Sequence, residues 1–244
     1  MTDDVPNIPI ERLKRATERI VVLSGAGMSA ESGLRTFRDN GGLWEQYSIY
    51  EVATPEAWAR DQAMVLRFYN ERRRQLLDVR PNQAHLALAR LEKAFAVEVV
   101  TQNIDDLHER AGSSSVLHLH GELRKARSSI REDLIYDIDG WEIREGDLCE
   151  AGHQLRPHVV WFGEPVPMMF KASEIVRSAD LLLVIGSSLS VYPAAGLVQE
   201  VSAGTPTVLI DPGAPEVYPA PDLYHLKKPA GEGVVWLTDQ LLEA

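Results

Sequence analysis

At 244 residues the chain is long enough for one large α/β domain, or for a large domain carrying a small insert. A net charge of −11 leaves no basic excess for gripping a phosphate backbone, so no direct nucleic-acid partner is expected. No apolar run spans a bilayer and no apolar leader opens the chain, while the single cysteine, Cys149, permits no internal disulfide; a cytoplasmic protein without a membrane partner is the expectation.

Residues 8–19 read as a first helix, with Ile10, Leu13 and Ala16 along one face. Ile20 to Leu23 is a short apolar strand that breaks at once into Gly25-Ala26-Gly27. Two glycines there permit a tight turn and let the backbone approach a bulky anion. Ser29 to Ser32 read as the first turn of a helix, whose free N–H groups and positive dipole end favour a phosphate. Ala30 stands where the third glycine of a dinucleotide fingerprint falls, a replacement the fingerprint tolerates. Glycines so spaced also simply end strands. Thr36-Phe37-Arg38 and Asn40-Gly41-Gly42 then add a polar, basic segment where a smooth helix normally continues.

From Ser48 to Leu77 the pattern is helical, with Pro55 suited to a helix start after Thr54. His85 to Phe95 makes another amphipathic helix. A buried strand follows at Val97 to Thr101, closed by Gln102-Asn103-Ile104-Asp105. Asp106 to Arg110 reads as a helical turn ended by Gly112, and Val116 to Leu119 as a strand ending in His120-Gly121-Glu122. Residues 123–154 are charge-rich and irregular, with an expected hairpin centred on Asp139-Gly140 between Leu134–Ile138 and Trp141–Ile143. After the apolar run Val159 to Phe162, three more strands are expected at Leu181–Ile185, Thr207–Ile210 and Val234–Leu237. Strands alternating with helices predict a mostly parallel sheet covered on both faces.

Some residues carry chemistry. Gln102, Asn103 and Asp105 close a parallel strand, the edge at which open α/β sheets bind ligands; capping a helix is the other use of Asn103 or Asp105. No acidic residue ends a second strand about twenty positions after the glycines, where a ribose is usually held, so Asp211 is the candidate, with a plain Asp-Pro-Gly turn as the alternative. His118 and His120 alternate along one strand. His120 is the one at the strand end, where an imidazole titrating near neutrality suits proton removal from a hydroxyl.

Five blocks occur in order: G-A-G-M-S-A-E-S-G-L-R-T-F-R with D-N-G-G-L-W, T-Q-N-I-D-D-L-H-E-R-A-G, L-H-G-E-L, L-R-P-H-V-V-W-F-G-E and G-S-S-L-S-V-Y-P-A-A-G-L. With them the chain resembles the sirtuins, NAD-dependent protein lysine deacylases, over roughly residues 12 to 244. The resemblance implies a Rossmann-like NAD-binding domain from residues 1–40, 81–121 and 156–244, with a small domain from a helical insertion at 41–80 and a second insertion at 122–155. It implies NAD contacts from Gly25, Ala26, Gly27, Ala30, Thr36, Phe37, Arg38, Gln102, Asn103, Asp105, Gly186, Ser187, Ser188, Asp211 and Ala230. Phe37 would shield the reactive sugar from water.

The implied catalytic residues are His120, as general base, and Asn103. In the implied reaction the acyl-lysine oxygen attacks the ribose carbon bearing nicotinamide, nicotinamide departs, and His120 deprotonates the ribose hydroxyls; the products are free lysine and O-acyl-ADP-ribose. Val160, Phe162 and Gly163, with Ser190-Val191-Tyr192, match the segments that hold an extended acylated peptide by strand addition, though Val159–Phe162 also reads as a buried strand. Tyr69 and Arg72, three apart on a helix, suit a grip on a carboxylate, and the desuccinylase and demalonylase class carries this pair with a small residue where Ala53 stands. A solvated arginine face with Tyr69 in the core is the plainer alternative. Malonyl or succinyl groups are therefore favoured, with acetyl also accepted.

The usual zinc cysteines of the family are missing. Arg127-Ser128-Ser129-Ile130 fills the place of the first pair, and only Cys149, with His153 nearby, remains at the second. Two ligands fall short of the four that structural zinc takes, so no metal is expected unless Asp147 or Glu150 is recruited. Leu134, Ile135, Tyr136, Trp141, Ile143 and Leu148 are expected to pack a small apolar core instead. Two other functions share the cofactor: an ADP-ribosyltransferase or NAD glycohydrolase, and a non-catalytic NAD-sensing module.

Overall fold

In the computed structural model, residues 8–34, 43–44, 47–213 and 220–243 are described. The strands in chain order are β1 (Arg19–Ser24), β2 (Leu43–Trp44), β3 (Tyr47–Ser48), β4 (Ala96–Thr101), β5 (Val116–His118), β6 (Gly121–Ser128), β7 (Ile135–Asp137), β8 (Leu155–Val159), β9 (Leu181–Ile185), β10 (Thr207–Ile210) and β11 (Leu223–Leu226). The helices are α1 (Ile10–Ala16), α2 (Gly27–Ala30), α3 (Ile49–Val52), α4 (Pro55–Arg60), α5 (Gln62–Asp78), α6 (Gln83–Leu91), α7 (Leu107–Ala111), α8 (Met169–Arg177) and α9 (Ala230–Leu242), with a 3₁₀ segment at Ala194–Glu200.

Six strands form one parallel sheet in the order β11-β10-β9-β1-β4-β5. Its central strands read as unbroken apolar runs because alternate side chains enter two different cores. Ile20, Val22, Leu181, Leu183, Val208 and Ile210 pack with residues of α6 and α9. Val21, Leu23, Leu182, Val184 and Leu209 pack with α8 and the 3₁₀ segment. This is the Rossmann-like α/β architecture.

Local signals set the helix starts on the other side of the cleft. Ser48 and Glu51 form a capping box at α3, the Thr54 hydroxyl accepts from Ala57 N–H with Pro55 in the first turn of α4, and Asp61 caps α5. The helical stretch 48–77 is thus three helices, the second starting at Pro55 after Thr54 as expected. Their apolar faces join β6 and β8 in a third core containing Val52, Trp58, Phe68, Tyr69, Leu123, Val159 and Trp161.

Four expectations need correction. Val234–Leu237 is not a strand: it lies inside α9, where Ala230, Val234, Leu237 and Leu241 recur at helical spacing on the core face. A four-residue apolar run cannot separate a strand from a buried helix segment, and the edge strand is the half-buried, partly polar β11. The helix after the glycines begins at Gly27, lasts one turn, and gives way to Gly33 at φ +93°. The hairpin about Asp139-Gly140 does not form; β7 pairs with β6, and β8 with the other edge of β6. Buried side chains of α5 take the backbone groups such a hairpin needs: Asn70 accepts from Ile143 N–H at 3.0 Å and donates to Ile143 O at 2.9 Å, and Arg73 donates to Trp141 O at 2.7 Å.

The small apolar core is the fourth. Ile143 is buried, but Ile135, Trp141 and Leu148 are exposed. What sits between β6 and β8 is ionic: Glu164 receives Arg156 at 2.6 and 3.1 Å and Arg127 at 3.3 and 3.2 Å, with all three side chains at most 15% exposed. Among the described residues no three His, Cys, Asp or Glu side chains are grouped to hold a metal ion. The Cys149 thiol is turned to Ser128 Oγ at 3.4 Å, Glu150 accepts from Tyr136, and Asp147 from Arg144 N–H.

Candidate active site

Ser24 of β1 pairs with Thr101 of β4 and Ile185 of β9, so three adjacent strands end at one level. From β1 the chain builds outward through β4 and β5, then returns to build the other way through β9, β10 and β11. Ligands of open α/β sheets bind where strand order reverses in this way. A cleft of about 880 Å³ opens there, a size suited to a small molecule. Gly25, Ala26 and Gly27, Gln102 to Asp105, His120 and Gly186 to Ser188 line its sheet side; Ala53, Tyr69, Arg72 and Val160 to Glu164 line the opposite wall.

The glycines fit two loops against each other. A Cβ on Gly27 would lie 2.7 Å from Gly186 Cα, and one on Gly186, itself at φ +58°, would lie 2.3 Å from Met28 N. Gly27 N–H donates to Gly186 O at 2.8 Å, locking the contact. The cleft opens beside them. Ala26 N–H lines it without a partner among the described residues, and Ser188 lines it with Ser187, whose hydroxyl accepts from Gln102 Nε2 at 3.1 Å and Leu189 N–H at 3.2 Å and so keeps its own proton to donate. Such a donor-rich, backbone-walled cleft fits a dinucleotide bearing a pyrophosphate.

Asn103 spends both amide hydrogens within the protein, on Gly25 O and Ser29 Oγ, each at 3.1 Å. Its side-chain carbonyl is therefore the group left for the cleft. Ser29 Oγ donates in turn to Asp105 Oδ2 at 3.0 Å, and Asp105 Oδ1 accepts from Leu107 N–H at 3.2 Å. Asp105 thus ties Ser29 to the first residue of α7 and lines the cleft at once, and burial pushes its carboxyl pKa up.

His120 sits where the chain leaves the large sheet for the small one. Its carbonyl accepts from Val160 N–H at 2.9 Å, and Gly121, at φ +79°, has no room for a side chain because a Cβ would lie 2.2 Å from His158 O. His120 Nδ1 is 2.9 Å from Gln102 O. A carbonyl only accepts, so Nδ1 holds the proton and Nε2 is the basic nitrogen. Burial, opposed by that hydrogen bond, lowers the imidazole pKa, which keeps the ring neutral near pH 7. His118 is the opposite case: Nδ1 meets Asn103 O at 3.0 Å and Nε2 meets Glu109 at 2.7 Å. Two acceptors favour the imidazolium, and although burial opposes it, the Glu109 carboxylate holds the pKa up.

On the opposite wall Tyr69 is fully buried, and its hydroxyl accepts from Trp161 Nε1 at 3.1 Å. Desolvation raises the phenol pKa, so the group stays protonated. The Arg72 guanidinium lies over the Phe68 ring at 5.8 Å. Phe162 N–H donates to Ala53 O at 2.9 Å, tying the turn Trp161–Glu164 to the end of α3. The strand expected at Val159–Phe162 ends at Val159, and the remainder forms this turn with Gly163 at φ +91°.

Three candidates lie outside the cleft lining. Ala30 is exposed at the end of α2, Asp211 ends β10 with Oδ1 accepting from Gly213 N–H at 2.7 Å in an Asp-Pro-Gly turn, and Ala230 begins α9. Thr36, Phe37 and Arg38 lie outside the described residues. Sequence reasoning passed over Ser29, Ile49, Ile104 and Leu123, which also line the cleft. Ser29 was within reach: a serine one turn past a glycine-ended strand faces the neighbouring strand end.

Residues 25–193 match the model of the family described as Sir2 family. A Bacteroides thetaiotaomicron protein named NAD-dependent protein deacylase is 50% identical over 232 residues, covering 93% of this chain and 99% of that relative. A Helicobacter pylori protein of the same name is 48% identical over 228 residues, covering 93% and 98%. Among solved structures, a Sir2 homolog–NAD complex superimposes with a TM-score of 0.86 at 38% identity, covering 95% of this chain and 93% of that one.

Proposed function

The chain belongs to the Sir2 family, and on that premise we propose that it is an NAD-dependent protein lysine deacylase. One observation carries the reading: the His120 Nδ1 proton is fixed by Gln102 O, leaving Nε2 as the base of a residue that lines the strand-end cleft. Bound NAD supplies an electrophilic ribose carbon once nicotinamide leaves. Gly25, Ala26, Gly27, Ser187 and Ser188 hold the nucleotide at the sheet edge, and the family pattern adds Ala30, Thr36, Phe37, Arg38, Asp211 and Ala230. Gln102, Asn103 and Asp105 orient the sugar, Asn103 through the carbonyl it has left free. His120 accepts a sugar hydroxyl proton at Nε2, and its lowered pKa keeps it ready to do so near neutrality. The acylated peptide lies between Val160–Gly163 and Ser190–Tyr192, both of which line the cleft.

Within this activity we favour acidic acyl groups, malonyl or succinyl, with acetyl also accepted. Support comes from Tyr69 and Arg72, one turn apart on α5 and lining the same cleft beside the small Ala53. The net charge of −11 and the single buried thiol support a protein-directed enzyme of a reducing cytoplasm, without nucleic-acid or membrane partners. No described helix is long and apolar enough to cross a membrane.

Incubation with NAD and a succinylated or acetylated lysine peptide, followed by weighing the products, tests the reading. Nicotinamide release that needs the peptide and removes its acyl group is expected. Nicotinamide release without peptide would instead mark a glycohydrolase, and binding without turnover a sensor. R72M should lower kcat/KM for the succinyl peptide about tenfold or more, since a charged hydrogen bond is lost. Unchanged desuccinylation would remove the acyl assignment.

A further inference from the structure

The acyl end of the cleft contains a chain of hydrogen bonds that the reading above leaves without a task. Trp161 Nε1 donates to Tyr69 Oη at 3.1 Å, and both residues line the cleft. An indole N–H can only donate, so the phenol oxygen is committed as acceptor. Its own proton then has to point elsewhere, and no acceptor takes it among the described residues. The indole is clamped in that orientation. The Arg156 guanidinium carbon lies 3.2 Å from the Trp161 ring centroid, and the Trp58 ring backs it at 5.8 Å. Glu164 accepts from Trp161 N–H at 2.8 Å while holding Arg156 in the two-pronged pair described above.

We propose that Trp161 is a specificity-determining positioning residue: by fixing the Tyr69 oxygen as acceptor, it presents the Tyr69 hydroxyl as a donor to a carboxylate-bearing acyl group. The inference rests on the acidic-acyl reading above and gives it a second layer. A carboxylate only accepts hydrogen bonds. With its proton turned instead toward the side that the indole N–H occupies, the phenol would meet an acidic acyl group with lone pairs and repel it. A neutral acetyl group gains nothing from the donor. Trp161 therefore acts on the choice between acyl groups rather than on the chemistry at the sugar.

The measurement is the ratio of kcat/KM for succinyl-lysine to that for acetyl-lysine in one peptide. W161F, which keeps a ring for Arg156 to stack on, should lower the ratio about tenfold, carried by KM. Y69F added to W161F should lower it no further, because the two groups act as one unit. If W161F does not fold, replacing Trp161 by benzothienylalanine removes the N–H while keeping the indole shape, and the same fall is expected. A ratio that stays at the wild-type value, with both activities falling in proportion, would reduce Trp161 to packing and overturn the inference. R72M separates the layers. If it lowers the ratio while W161F does not, only the role of Trp161 fails; if neither lowers it, the carboxylate reading fails and this inference with it.

Discussion

The two walls of the cleft are held by opposite kinds of polar contact. On the sheet side, neutral groups bond mainly to backbone: His120 to Gln102 O, Asn103 to Gly25 O, Gly27 N–H to Gly186 O. On the other side, Glu164 sits between Arg127 and Arg156 and reaches the cleft through Trp161. Neutral bonds to backbone fix geometry at small desolvation cost, which suits groups whose protonation must be set closely. A buried ion cluster costs more desolvation and is worth keeping only while complete. The first wall is therefore expected to fail in activity when altered, and the second in stability.

His120 gives the largest expected effect. H120A should lower kcat/KM for deacylation by about 100-fold or more, the usual contribution of a general base, with little change in melting temperature. In the wild-type enzyme the acid limb of kcat/KM should lie below the ordinary histidine range, because burial lowers the His120 pKa and only the neutral ring can take a proton. An acid limb at or above that range, or an H120A enzyme of near-normal rate, would remove His120 from the mechanism.

The same contrast separates what the sequence made legible from what it did not. Apolar runs at Ile20–Leu23, Leu181–Ile185 and Thr207–Ile210 are strands because their neighbours are apolar on both faces; the glycines follow the ends of the first two, and Gln102–Asp105 and His120 follow the ends of β4 and β5. The small region did not yield to the same logic. Its stabilising residues are Arg127, Arg156, Glu164, Asn70 and Arg73, which by composition read as surface. Their burial depends on pairings 8 to 73 residues apart in sequence, which no local pattern announces. Val234–Leu237 failed for another reason: the run was apolar enough for either state, and only the full period through Leu241 decides it.

Glu164 tests the second wall. E164A leaves two largely buried guanidinium groups without their carboxylate, and should destabilise the protein by about 3 kcal/mol, or roughly 10 °C in melting temperature. Asn103→Ala on the first wall removes only neutral bonds and should cost about 1 kcal/mol. Thermal melts of the two variants side by side decide the matter. Equal losses would mean that the ion cluster is held by its surroundings rather than holding them.

The pH dependence of stability should divide the two walls by window, with a smaller effect. His85, buried beneath the sheet, has its Nδ1 beside Asn82 N–H at 3.3 Å and its ring 4.9 Å from that of His108; burial lowers its pKa to about 4. A histidine whose folded pKa is depressed contributes stability above its ordinary pKa and loses it as pH falls toward the folded value. Between about pH 7 and about pH 5 the loss from His85 alone should be about 2 kcal/mol. His118 works against it, since its raised pKa adds stability as pH falls through the same range. The difference between wild type and His85→Asn isolates the term, because the asparagine oxygen can stand near the place of Nδ1. Glu164, held below the usual carboxylate range by Arg156 although burial opposes it, should lose its contribution only at lower pH. Denaturant titrations at stepped pH should therefore show His85→Asn flattening the limb between neutrality and the carboxylate range while leaving the steeper loss beneath it. A variant that parallels wild type throughout would mean that His85 carries none of the acid sensitivity.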